Sequence, residues 1–355
     1  MARLDFTRLS VLLVEDSAFM RSVFVNVLRA LGVERILIAE DGEQAIKIMT
    51  PAPGTKGTMI GTSGVDLIIC DYFMPTVDGA MFLRWLRRSD RSPDRFIPVI
   101  MVSAAADMDV IFTARDAGVD EFLAKPFSAA MLAQRLTAVI EHPRPYIYCP
   151  RYFGPDRRRR AKPVEDDRRV LTDKDVEVVY SGKDLSALKN SSKMVWEFRI
   201  PRGLKTKLAG GRSGDPNEPA FDPALIEAAE GKIANMEGDY ADWVAHSIDE
   251  LSQAHHRMVE EPERAVLHMA TVHEIAHELR GQGGIFGYPL MTQFGKSLYD
   301  VTDEESQVSP QLLDLIDAHI DLIKVVTKQK IKGDGGSVGQ QLLKSLSEAK
   351  KKFGH

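Results

Sequence analysis

The feature that most restricts this chain is a series of five short apolar runs in its first third. They are Val11-Leu12-Leu13-Val14, Ile36-Leu37-Ile38-Ala39, Leu67-Ile68-Ile69-Cys70, Pro98-Val99-Ile100-Met101-Val102 and Glu121-Phe122-Leu123-Ala124. Strands that are apolar at consecutive positions are buried on both faces, as in parallel sheets covered by helices. Helix-like spacing separates the runs: Phe19, Val23, Val27 and Leu31, then Met81, Leu83 and Leu86, then Met131, Leu132 and Leu136. The pattern predicts an α/β, doubly wound, five-stranded parallel sheet over residues 1–143. Sheets of this kind bind ligands at the C-terminal ends of their strands.

From Pro223 onward the pattern is all helical. It predicts helices at Pro223–Asn235, Tyr240–Met258, Pro262–Gly281, Pro289–Val301 and Pro310–Ile331, forming an all-α helix bundle over residues 220–331. At about 150 residues per domain, 355 residues suit two domains. Charge follows the same division. Residues 1–143 hold 15 basic and 18 acidic side chains, residues 144–219 hold 18 and 11, and residues 220–330 hold 8 and 20. The middle reads as a basic, Pro/Arg-rich linker around Arg157-Arg158-Arg159-Arg160. In it, Val176 to Tyr180 and Met194 to Ile200 suggest a small β-hairpin. Residues 332–355 read as a flexible Lys-rich tail, and Thr50 to Gly64 as a loop.

Polar residues close the strands at one end of the predicted sheet. Glu15 and Asp16 follow the first strand, Asp71 the third, Ser103 the fourth and Lys125 the fifth. Three carboxylates in one cleft repel one another, which implies a hard cation, and Mg²⁺ suits oxygen ligands. Lys125 offsets the remaining negative charge and Ser103 can donate to a phosphoryl oxygen. Asp71 can then act as a nucleophile and form an acyl phosphate.

Val14-Glu15-Asp16-Ser17, Asp71 with Met74-Pro75 and Asp78-Gly79, Ser103-Ala104 and Lys125-Pro126-Phe127 together resemble the response-regulator receiver family, of the chemotaxis-regulator type, over Leu9 to Glu141. The resemblance implies that Asp71 accepts a phosphoryl group from a phosphohistidine. It implies metal ligation by Glu15, Asp16, Asp71 and the Phe73 backbone carbonyl, and a switch formed by Ser103 and Phe122. Phe73 and Ala105, which flank the pocket, cannot hold a hydrolytic water through side-chain hydrogen bonds, so slow loss of the phosphate is expected.

A second motif, His273-Glu274-Ile275-Ala276-His277, matches the H-E-x-x-H zinc-peptidase helix. That reading lacks a marked third ligand; Glu304 or Glu305 could serve, and Arg280 and Gly283 break the extended form. Helix geometry offers a rival. Val272, Ile275, Ala276 and Leu279 share one face, which places His277 toward solvent with His273, Arg280, Gly281 and Gly284 near it. Two glycines there let a partner approach the imidazole, and Arg280 can stabilise a phosphoryl group on His277. The run His277 to Gly287 resembles a histidine phosphotransfer (HPt) domain, with Arg280 in place of the usual lysine. His273 could tune His277. His268 reads as structural, and His255, His256 and His319 as surface residues.

Phosphorelay signalling is therefore expected, in a transient phosphoryl carrier rather than an enzyme. Its expected partners are a sensor histidine kinase and a downstream response-regulator receiver, with an intramolecular receiver–HPt contact as a further option. The alternative is a binding protein in which receiver phosphorylation gates the helical domain. The overall charge of −5 disfavours a generally basic nucleic-acid binder, and no clear DNA-binding domain is seen. The N-terminus is too acidic for a signal peptide and no apolar stretch nears the ~20 residues of a membrane span. These features, with only two cysteines, Cys70 and Cys149, suggest the cytoplasm.

Overall fold

A computed structural model describes residues 4–50, 64–103, 108–157, 176–179, 195–199, 203–209, 219–303 and 306–353. The chain forms two compact units, residues 1–124 with 128–232, and residues 233–355 with 125–127.

The first unit carries β1 (Ser10–Val14), α1 (Ala18–Ala30), β2 (Arg35–Ala39), α2 (Gly42–Met49), β3 (Leu67–Asp71), α3 (Gly79–Arg88), β4 (Val99–Ser103), α4 (Met108–Ala117), β5 (Glu121–Ala124) and α5 (Ala129–Glu141). The five strands form one sheet of order β2-β1-β3-β4-β5, parallel throughout. All five predicted runs are strands. β1, β3 and β4 are buried along their whole length, whereas β2 lies at the sheet edge and leaves Ile38 exposed. Ser17, Asp41, Asp78 and Ser128 cap α1, α2, α3 and α5 by accepting backbone N–H groups of the first turn. Register sets the C-terminal ends level: Val14 pairs with Cys70, Asp71 with Val102, and Ser103 with Ala124.

The expected linker holds a second sheet. β6 (Tyr146–Cys149), β7 (Tyr152–Pro155), β8 (Val176–Val179) and β9 (Val195–Phe198) are arranged as β7-β6-β9-β8. The two segments predicted to form a hairpin, β8 and β9, are instead parallel neighbours. The hairpin is β6–β7, within the Pro-rich stretch. Its prolines fall outside the strands or at the end of edge strand β7, where a missing N–H is tolerated. A short helix, α6 (Gly203–Ala209), follows.

Tyr146, Phe153, Trp196 and Phe198 share a small core with Phe96. Beside it Arg87, 1% exposed, donates to the carbonyls of Gly118, Arg95 and Ile97 and pairs with Asp120 at 2.8 Å. The Tyr146 hydroxyl and the Val99 N–H also donate to that carboxylate. Burial nevertheless outweighs Arg87 and raises the Asp120 pKa.

α7 (Pro223–Asn235) leads into the second unit, which holds α8 (Glu237–Glu260), α9 (Ala265–Gln282), α10 (Pro289–Val301), α11 (Pro310–Lys328) and α12 (Gly336–Phe353). α8 packs on α9 and α11, and α10 packs on the same two helices, which closes a four-helix ring. Leu251, Val272, Leu279, Phe294, Leu298, Leu315 and Ile323 are buried in it. α12 corrects the expected flexible tail: it is an 18-residue helix against α11 with Leu346 buried. No helix among the described residues is long and apolar enough to cross a membrane.

His319 departs from its predicted surface position. It is fully buried, with Nδ1 2.7 Å from the Leu315 carbonyl and Nε2 2.9 Å from the Ser297 hydroxyl. Burial lowers its pKa from 6.5 to about 4. The unfolded chain therefore takes up a proton first, and stability falls as pH drops through that window, by roughly 3 kcal/mol. Urea unfolding of the full chain should show a larger loss between pH 7 and pH 4.5 for the wild type than for His319→Gln; equal losses would contradict the assignment. Arg87→Met should destabilise the first unit by about 3–5 kcal/mol, because it strands a buried carboxylate. Thermal unfolding followed through Trp85 and Trp196 fluorescence checks this, and an unchanged midpoint would count against it.

Candidate functional site

At the C-terminal end of the five-stranded sheet, ligand oxygens of Glu15, Asp16 and Asp71 all lie within 4.8 Å of one another. Glu15 and Asp71 are buried, at 1% and 2% exposure, and Asp16 is half-buried. Like charges at such range repel by roughly 3 kcal/mol per pair at an effective dielectric near 20. The backbone holds them there. Arg21 Nη1 donates to the carbonyls of Glu15 and Asp16 at 2.9 and 2.6 Å, and Nη2 reaches Glu40 at 3.2 Å. The Tyr72 N–H donates to Asp71 Oδ1 at 2.7 Å, and the Gly79 N–H to the Tyr72 carbonyl at 3.0 Å. A Cβ at position 79 would stand 2.2 Å from the Asp71 carbonyl oxygen, so only glycine lets α3 start this close to β3. The three-carboxylate, all-oxygen donor set fits a hard divalent cation such as Mg²⁺.

Ser103, the last residue of β4, is fully buried, and its strand neighbour Val102 pairs with Asp71. Lys125 is buried and directly follows β5, whose last residue Ala124 pairs with Ser103. Phe122 is half-buried, pairs with Met101 and packs on the sheet's apolar core. Phe73 is half-buried, with its ring edge-on to Tyr72. Ala105 and residues 51–63 of the predicted loop lie outside the described residues. Cys70, beside Asp71, is not a competing nucleophile: burial, then the Asp71 and Glu15 charges, push its thiol pKa well up.

On α9 the picture differs from the expected open face. His277 is half-buried, Arg280 and Gly281 are buried, and Gly284 is half-buried. Part of the reason is α10. Gly295 lacks the Cβ that would sit 2.5 Å from the Arg280 backbone nitrogen, so α10 lies directly against this stretch of α9. Arg280 turns its guanidinium over the Tyr299 ring, 5.3 Å from its centroid. His273 stacks on the same ring at 4.0 Å, and His277 lies 5.7 Å from it. His273 Nδ1 is 3.1 Å from the Thr302 hydroxyl. Glu274 is exposed, and Glu304 and Glu305 lie outside the described residues. Among the described residues the trio of potential metal ligands is Glu15, Asp16 and Asp71, and none forms around His273 and His277. Among the described residues, then, no third ligand joins His273 and His277, and the two candidates Glu304 and Glu305 lie outside them. His255, expected at the surface, is part-buried with Nε2 3.0 Å from the Leu313 carbonyl, and His268 is half-buried beside Glu261.

Two residues that matter here escaped sequence reasoning, Arg21 and Tyr299. Both act across elements, Arg21 on the end of β1 and Tyr299 on α9, and neither belongs to a local spacing pattern.

Comparison with known proteins places the first unit. Residues 11–137 match the response regulator receiver domain. The chemotaxis protein CheY of Pseudomonas aeruginosa is 32% identical over 133 residues, covering 38% of this chain and 97% of that protein. CheY-3 of Vibrio cholerae is 31% identical over 133 residues, covering 38% of this chain and 92% of its own length. Among solved structures, the receiver domain of sensor histidine kinase PA1611 from P. aeruginosa is 29% identical, covering 36% of this chain and 94% of its own, with a TM-score of 0.30. That structure is described with a magnesium ion coordinated in its active-site cleft. Through residues 11–137 the chain belongs to the response regulator receiver family of two-component signalling proteins.

Proposed function

We propose that this chain is a phosphorelay protein in which residues 1–143 form a receiver and residues 220–331 a histidine phosphotransfer bundle. The observation that carries the receiver half is the buried Glu15–Asp16–Asp71 trio at the C-terminal end of the sheet. A carboxylate oxygen of Asp71 attacks the phosphorus of a donor phosphohistidine. The P–O bond forms as the P–N bond breaks, and its electron pair returns to the donor imidazole. Glu15, Asp16, Asp71 and the Phe73 carbonyl would hold Mg²⁺, which neutralises charge on the transferring oxygens. Lys125 and Ser103 serve the same phosphoryl oxygens from the ends of β5 and β4, and Ser103 with Phe122 senses the modification.

In the second half, His277 exchanges phosphoryl groups with receiver aspartates, and Arg280 lies one helical turn away. The partners of the relay are a sensor histidine kinase and a downstream receiver. Slow loss of the phosphate from Asp71 would leave time to pass it on. The competing reading, a receiver that gates binding by the helical domain, needs Asp71 but not His277.

Labelled phosphoryl transfer into the full chain from a histidine-phosphorylated kinase separates the two. Asp71→Ala should abolish labelling from the kinase. His277→Ala should keep the aspartyl phosphate and lose all phosphohistidine. Label that never reaches His277 from any phosphorylated receiver would sink the relay and leave the gated binding protein.

A further inference from the structure

We propose that Tyr299 is a positioning residue for phosphoryl exchange at His277, an assignment that rests on the phosphotransfer reading of that histidine. His273, His277 and Arg280 are spaced four and three residues apart on α9, so they line one stripe of the helix. All three meet the same ring on α10. The His273 imidazole stacks on Tyr299 at 4.0 Å and 30°, the His277 ring lies at 5.7 Å and 52°, and the Arg280 guanidinium at 5.3 Å.

The ring is itself held from two sides. Gly295, one turn before Tyr299, admits the Arg280 backbone to within 2.5 Å of where a Cβ would be, which fixes the separation of α9 and α10. Three residues after Tyr299, the Thr302 hydroxyl donates a hydrogen bond to the Leu298 carbonyl at 2.8 Å. That leaves the Thr302 oxygen to accept from His273 Nδ1, 3.1 Å away, in the Nδ1–H tautomer, a contact that helps hold the stacked imidazole against the ring.

The chemistry uses this arrangement. A lone pair on one His277 ring nitrogen attacks phosphorus, the P–N bond forms and the donor's bond to phosphorus breaks with its electrons. Until the other ring nitrogen releases its proton, the phosphorylated imidazole is cationic. The electron-rich face of an aromatic ring favours such a cation, as it favours the guanidinium beside it. Tyr299 touches neither phosphorus nor the attacking nitrogen. It restricts the imidazole and Arg280 to one mutual geometry, and misplacement of a reacting group can cost up to about 100-fold in rate.

The test uses the full chain carrying Asp71→Ala, so that phosphorus bound to protein reports on His277, with His277→Ala as the blank. Phosphoramidate is the probe: its P–N bond breaks, the bond to His277 forms and ammonia leaves with the proton. Phosphohistidine is followed by ³¹P NMR and the His277 ring protons by ¹H NMR. Tyr299→Leu should slow phosphorylation about tenfold or more and remove the ring-current shift of His277. Tyr299→Phe, which keeps the ring and the packing, should restore both. Parent-like rate and resonances in Tyr299→Leu, or failure of Phe to restore them, would overturn the proposal. No phosphohistidine in the Asp71→Ala parent would instead remove the phosphotransfer reading of His277, and this proposal with it.

Discussion

Three carboxylates gathered within 4.8 Å at the end of a buried sheet are the constraint on which the first unit depends. Mutual repulsion disfavours the arrangement, and burial of Glu15 and Asp71 makes it worse. It persists because the backbone on either side is fixed. β1 and β3 are central, fully buried strands, and their register leaves Glu15 and Asp71 at the same level. Arg21 ties the Glu15–Asp16 peptide to α1, and Gly79 lets α3 begin directly against the end of β3. The apolar sheet supplies the rigidity, and a divalent cation would relieve the repulsion.

The phosphotransfer proposed for His277 poses the opposite problem to the second unit: its imidazole must be oriented yet reachable. Tyr299 supplies orientation from a neighbouring helix and leaves His277 half-buried rather than enclosed. The same ring accounts for the arginine at position 280. A planar guanidinium stacks on an aromatic face in a way that the ammonium of lysine does not.

Much of this was legible in the sequence because its signals are local. Consecutive apolar residues marked the five strands, and the residues closing them marked the acidic site. Helix spacing placed Pro223–Asn235 and Pro289–Val301 at their observed bounds. What was not legible depends on contacts distant in sequence. His319 looks like a surface residue on its own helix until Ser297 of α10 meets it. Arg280 looked exposed until α10 was placed against it. Residues 336–353 read as a loose tail because their apolar positions acquire meaning only against α11. The second sheet was hidden by its prolines, and its anchor is the long-range network of Arg87, Asp120 and Tyr146.

That Asp71 sits in a cation-dependent acidic pocket is tested most directly by calorimetric titration of Mg²⁺ into the full chain. One site should be seen for the native protein, with binding weakened at least about tenfold, roughly 1.4 kcal/mol, when Asp16→Asn removes one charge of the trio. Absence of binding to the native protein, or equal affinity in Asp16→Asn, would contradict the account.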